Sequence, residues 1–220
     1  MARPVKTAIA PEPRRYDSPV RRAHAQETEL RILGAAQSLF AERGYVGTSL
    51  AAIAERAGVN ARTVYKIFGT KVALLSRLVD VAIVGDQAAI PVAARAWAAA
   101  AFTAPTGRAR IRAFAATIRR VMESAGPAFR AAAQAAATDS DAAALWATGQ
   151  DLRLQDSNAF VRALDAAHLL RRSGSRDDAV ATVWLVTSPE TFTQLSDGLG
   201  WTLDRYERWV KRMLTDALLV

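Results

Sequence analysis

The sequence predicts an all-α chain: three short helices, then a set of longer ones. Apolar residues recur at a 3.6-residue period along most of its 220 residues, the mark of helices with one buried face. No alternating β-branched run bounded by turns is present. Short polar residues stand where helices should begin, and glycine or proline where they should stop.

Taken in order, the first helix is expected over residues 25–43, because Ile32, Ala35, Ala36, Leu39 and Phe40 share one face. Gly44 suits a left-handed stop. Thr48 or Ser49 can cap a second, short helix with the stripe Leu50, Ile53, Ala54 and Ala57. Gly58 stands at a tight turn where a side chain is expected to crowd the crossing, and Val59 and Val64 are expected between the two helices. Asn60 is a good cap for a third helix over 61–68. Thr70 can cap a fourth, starting near Lys71, with Val72, Leu75 and Val79 at one spacing. Pro91 opens an expected helix to residue 101. Residues 108–124 carry an apolar face from Ile111 to Met122; Gly126 and Pro127 predict a break before a helix over 128–137. Asp139 or Ser140 can cap a long helix to about Leu170. Residues 177–187 and 189–196 read as one helix interrupted by Pro189, and Thr202 or Asp204 starts the last helix, to about Leu218.

Charge is uneven along the chain. The net +8 divides into +4 on residues 1–25, +3 on 26–78 and only +1 on 79–220. A positive field on the first third fits a polyanion, nucleic acid or an anionic membrane surface, and charge alone does not choose. Residues 1–25 mix six basic residues with four prolines and no apolar stretch long enough for a signal peptide. They read as a disordered basic arm. No apolar run reaches the roughly 18 residues that span a bilayer, which is compatible with a cytoplasmic location. Cysteine is absent and histidine occurs only as His24 and His168, so thiolate chemistry, zinc–cysteine sites and a histidine triad are excluded. No metal and no cofactor is expected.

The segment LAAIAERAGVNARTVYKIF, residues 50–68, is helix, tight turn, helix. In this motif the second helix enters the DNA major groove, whose width just admits one helix. The candidate contacts are Ala61, Arg62, Thr63, Tyr65 and Lys66, following Asn60. Arg62 suits guanine edges, Lys66 guanine or phosphate, and Tyr65 phosphate; Thr63 offers a hydroxyl and a methyl. Read from these residues alone, a helical hairpin with a solvated basic face is the competing interpretation.

Residues 32–75, ILGAAQSLFAERGYVGTSLAAIAERAGVNARTVYKIFGTKVALL, resemble the DNA-binding domain of the tetracycline-repressor (TetR) family. Leu39, Phe40, Gly44 and Tyr45 match its LF-x-x-x-G-Y/F; Thr48, Ser49, Ile53, Ala54, Ala57, Gly58 and Val59 match T-S/T and I-A-x-x-A-G-V; Thr63, Val64, Tyr65, Phe68, Lys71 and Leu74 match the end of the motif. Arg62 and Ile67 depart from the residues usual at their positions. The resemblance implies that Thr48, Tyr65 and Lys71 contact or orient phosphates. Residues 183–219, with T-S-P-E, G-W and R-Y-E-x-W, are similar to the C-terminal end of many members, whose last two helices pair with their symmetry mates. Leu203, Tyr206, Val210, Met213 or Leu214, and Ala217 supply a face for that pairing.

The domains expected from this resemblance are a basic arm (1–25), a helix-turn-helix domain (26–75) and a helical ligand-binding and dimerisation domain (76–220). The implied function is a homodimeric, ligand-responsive transcriptional regulator, usually a repressor in this family. Its implied partners are a palindromic DNA operator, a second copy of the chain and a small apolar or amphipathic effector, with no membrane. The fourth helix would couple the two domains. The alternatives are a helical protein-interaction module without DNA binding, and a small cytoplasmic enzyme. The enzyme reading finds no phosphate loop and no paired carboxylates: Asp139 and Asp141 at a helix start are explained by capping. Gln150, Arg153, Asn158 and His168 are polar residues that could meet an effector if they face inward.

Overall fold

A computed structural model describes residues 19–86, 92–172 and 174–219. Over these residues the chain is helical, with no strand: α1 (Pro19–Arg43), α2 (Leu50–Arg56), α3 (Ala61–Phe68), α4 (Lys71–Val84), α5 (Ala96–Thr103), α6 (Gly107–Ala136), α7 (Ser140–Ala166), α8 (Arg176–Val186), α9 (Pro189–Thr193) and α10 (Leu203–Leu218). A 3-10 turn, Val92–Ala94, precedes α5, and a π turn, Gln194–Gly198, follows α9.

Local chemistry sets most of the starts. Ser49, Asn60, Thr70, Thr106, Asp139, Ser175, Ser188 and Thr202 each accept a backbone N–H of the first helical turn, satisfying donors that have no partner inside the helix. The first helix begins earlier than expected. Pro19 opens it, as proline suits a first helical position, so residues 19–25 are helix and not arm. Residues 1–18 lie outside the described residues, as does Pro91.

The largest departure is α6. The break expected at Gly126 and Pro127 does not occur; the helix runs through both. Pro127 removes one backbone bond, but Val121, Met122 and Ala125 before it and Ala128, Phe129, Ala131, Ala132 and Ala135 after it are all buried. Tertiary burial on both sides outweighs the local cost. Conversely, α7 stops at Ala166 and not near Leu170. His168 takes the left-handed conformation (φ 56°), while its N–H and that of Leu169 donate to Asp165 and Leu164. This is the glycine type of helix stop, made without glycine. Pro189 does not interrupt a helix: it is the first residue of α9, capped by Ser188.

Two apolar clusters form. One joins α1–α4 to Ala128, Ala131, Ala132 and Ala135 of α6 and Ala142 of α7. The other holds Ile111–Ala125 of α6 with residues of α5 and α7–α10, including stacked Phe114 and Phe160 (3.9 Å). In α10, Tyr206, Val210, Leu214 and Leu218 belong to this second cluster and are fully buried. Most of the stripe expected to face a second copy therefore faces the chain's own core. The reason is that α6, α8 and the Phe192 ring (5.0 Å from Tyr206) already cover it.

Candidate nucleic-acid interface

Residues of α2 and α3 build a compact corner. The Ser49 hydroxyl accepts the Ala52 N–H (3.1 Å) and the Asn60 carbonyl oxygen Oδ1 accepts the Arg62 N–H (2.8 Å). Between them Gly58 adopts φ +64°. A Cβ there would meet nothing within 4 Å, so crowding does not explain this glycine; the left-handed backbone does. The turn closes with Gly58 N–H donating to Glu55 (3.1 Å) and Val59 N–H to Ala54 (3.0 Å). Arg56 grips Glu42 through two bonds of 2.9 Å, tying α2 to α1. Arg77 similarly ties α4 to Glu29 of α1 (2.6 Å).

On α3 only Val64 is fully buried. It anchors the helix, and the opposite side is open: Arg62 and Lys66 are exposed, as are Tyr65 (53%) and Ile67 (42%). Arg62, Tyr65 and Lys66 lie three and four residues apart, hence on one face. Ala61 and Thr63 are half-buried beside them, and Asn60 is exposed but holds the cap. Two aromatic or aliphatic groups and two cations on one protruding helix suit stacking against sugars and pairing with phosphates or base edges.

Thr48 and Lys71 are placed differently. Thr48 is 2% exposed. Its hydroxyl donates inward, to the carbonyls of Gly44 (2.8 Å) and Leu39 (3.2 Å). Lys71 Nζ donates to the carbonyls of Tyr45 (2.9 Å) and Thr48 (3.0 Å) and sits 4.0 Å above the Tyr45 ring. Burial holds the ammonium below the usual lysine range, and the Asp139 charge opposes that only partly. Both residues therefore lock the loop between α1 and α2 against the start of α4.

Sequence reasoning gave Tyr45 no partner beyond its motif. Its hydroxyl donates to Asp139 Oδ2 (3.3 Å), while Asp139 Oδ1 caps α7. Burial first, then the neighbouring carboxylate, pushes the phenol up to about 12. Among the described residues no group of three His, Asp or Glu side chains gathers that could hold a metal ion. No described helix is long and apolar enough to cross a membrane. Of the polar residues weighed for an effector, Gln150 and Arg153 meet (Arg153 Nη1 donates to Gln150 Oε1). Asn158 lines an open groove between α7 and α8, and His168 is exposed in the turn after α7.

A family profile described as bacterial regulatory proteins of the tetR family matches residues 32–78. No curated protein matches the sequence. Among solved structures, the chain is similar to a protein assigned to the TetR-family transcriptional regulators from Rhodococcus sp. (TM-score 0.68, 15% identity, covering 87% of this chain and 98% of that one). It is similar to NalD, described as the secondary repressor of the MexAB-OprM multidrug efflux pump in Pseudomonas aeruginosa (0.65, 17%, 89% and 98%). It is also similar to SmeT, solved in complex with triclosan (0.68, 17%, 89% and 93%). At these identities the structures show a common fold. Residues 32–78 thus match the DNA-binding domain of the tetR family of bacterial regulatory proteins, and the described residues share the fold of solved TetR-family regulators, which supports a DNA-binding regulator of transcription.

Proposed function

We propose that the chain is a homodimeric, ligand-responsive repressor that reads a palindromic operator through α3. The observation that carries this reading is the outward face of α3, with Arg62, Tyr65 and Lys66 exposed opposite the single anchor Val64. Two such helices, one DNA turn (about 34–36 Å) apart, reach successive major grooves. Arg62, near the start of α3, reads a base; Thr63, Tyr65 and Lys66 add hydroxyl and phosphate contacts; Ala61 permits close approach; Asn60 fixes the start of α3. Thr48 and Lys71 orient the loop before α2 from within. The basic residues of 1–25 add to the positive charge of residues 26–75, and residues 76–220 bind the effector and the second copy. Exposed Leu185 of α8, Leu199 after the π turn and Met213 of α10 offer apolar surface for that copy. Repression is supported by the fold shared with NalD, described as a repressor, and binding of a small molecule by the fold shared with SmeT, solved in complex with triclosan. The reading places the protein in the cytoplasm, where its DNA is.

Arg62→Ala is expected to cost about 1–3 kcal/mol on the preferred operator and to relax preference at one base pair per half-site. Affinities for operator and scrambled duplex over a salt series measure this. Equal weakening on both duplexes would show that Arg62 touches phosphate only.

A further inference from the structure

From α8 and α10, two buried donors without an acceptor lie near one cation of α7. The Tyr206 hydroxyl is buried, and no described residue bonds to it. The Trp184 indole N–H is buried and unpaired in the same way. The Arg153 guanidinium lies 5.3 Å from the Trp184 ring centroid and donates to the Trp184 carbonyl (2.6 Å). Arg153 is close enough to Tyr206 for its charge to oppose the upward pull of burial on the phenol. None of the described carboxylates forms an ion pair with Arg153. The nearest acid along its hydrogen-bond chain, Glu190, is held one side chain away: Gln150 accepts from Arg153 and donates to Glu190. Unmet buried donors are rare and costly, and a desolvated guanidinium more so.

A carboxylate is the group that answers both unpaired donors and the positive charge at once. It carries the opposite charge, offers about four lone-pair sites and fits the planar fork of an arginine. The surrounding surface is aromatic: the Trp184 ring itself, Tyr206, and Phe192 at 5.0 Å from Tyr206. We propose that Arg153, Trp184 and Tyr206 form the polar end of a binding site for a small aromatic carboxylate. As the effector site of a regulator, this rests on the function proposed above; as a binding site, it does not.

The test is calorimetric titration of the full chain, without DNA, by phenylacetate, salicylate and 1-naphthoate, each beside its primary amide. At least one acid is expected to bind, with its amide weaker by about tenfold or more. Trp184→Phe and Tyr206→Phe each remove one donor and keep an aromatic ring; both are expected to weaken the acid several-fold while the helical spectrum holds. Arg153→Met is expected to abolish binding, and the two phenylalanine variants decide the matter if that protein does not fold. No binding by any of the three acids overturns the proposal. So does an amide that binds as well as its acid, or unchanged affinity in both phenylalanine variants. Operator affinity is then measured with the acid bound. Binding that leaves it unchanged supports the site and defeats the regulatory reading alone.

Discussion

Thr48 and Lys71 sit at helix starts, a place that suits an anion, yet the structure turns both side chains toward backbone carbonyls. Replacing Lys71 with Met removes two charge-assisted bonds and a cation–π contact. We expect a stability loss of about 2 kcal/mol, read by denaturant unfolding. The salt dependence of DNA binding should keep its slope; a slope lower by about one contact per protomer would mark Lys71 as a phosphate ligand instead. Tyr45 gives a second expectation. Its folded pKa, about 12, lies above the unfolded value of 10.0, so its contribution is complete below pH 10 and is lost as pH rises through the folded value. Alkaline unfolding should therefore steepen above pH 10, and less so in Tyr45→Phe, measured by far-UV circular dichroism. The caps Ser49, Asn60 and Thr70 were legible in the sequence because a cap is a contact over two or three residues. The Tyr45–Asp139 bond spans 94 positions, and no local signal announces it.

Among the elements, α6 shows where local rules stop. Glycine beside proline reads as a break, and the break is absent because apolar faces on both sides are buried by one continuous helix. Gly126 serves packing: a Cβ would come 3.2 Å from Phe192 Cε1, and that ring already lies 5.0 Å from Tyr206. Gly126→Val is expected to destabilise the chain by about 1–3 kcal/mol, seen as a lower thermal midpoint. The helix-turn-helix was read almost residue by residue, since its turn, caps and buried stripe are all short-range. The end of α7 was not, because His168 supplies a left-handed stop that sequence reading assigns to glycine. The π turn after α9 has no sequence signal that we can name.

At the scale of the whole molecule, periodicity in α10 identified an apolar stripe correctly but not what it meets. Tyr206, Val210 and Leu214 turn inward, and spacing cannot tell a core from an interface. The dimer is therefore expected on the residues left outside. Sedimentation at low micromolar concentration should give about twice 23.7 kDa. The double change Leu185→Glu and Met213→Lys should shift it to the monomer without loss of helix. A wild-type monomer at high concentration would defeat the assignment, and a double variant still dimeric would move the interface elsewhere. The course of α6 has a consequence for how the chain folds. Its residues from Ile111 to Ala125, with Phe129, are built into one apolar cluster, and Ala128, Ala131, Ala132 and Ala135 into the other. A fragment cut after Val84 would keep α1 to α4 yet lose Ala128, Ala131, Ala132 and Ala135, leaving part of the surface around Leu74, Leu75 and Leu78 open to water. The part that meets DNA thus borrows its last wall from the part behind it, and the two gain and lose order together, as one cooperative unit.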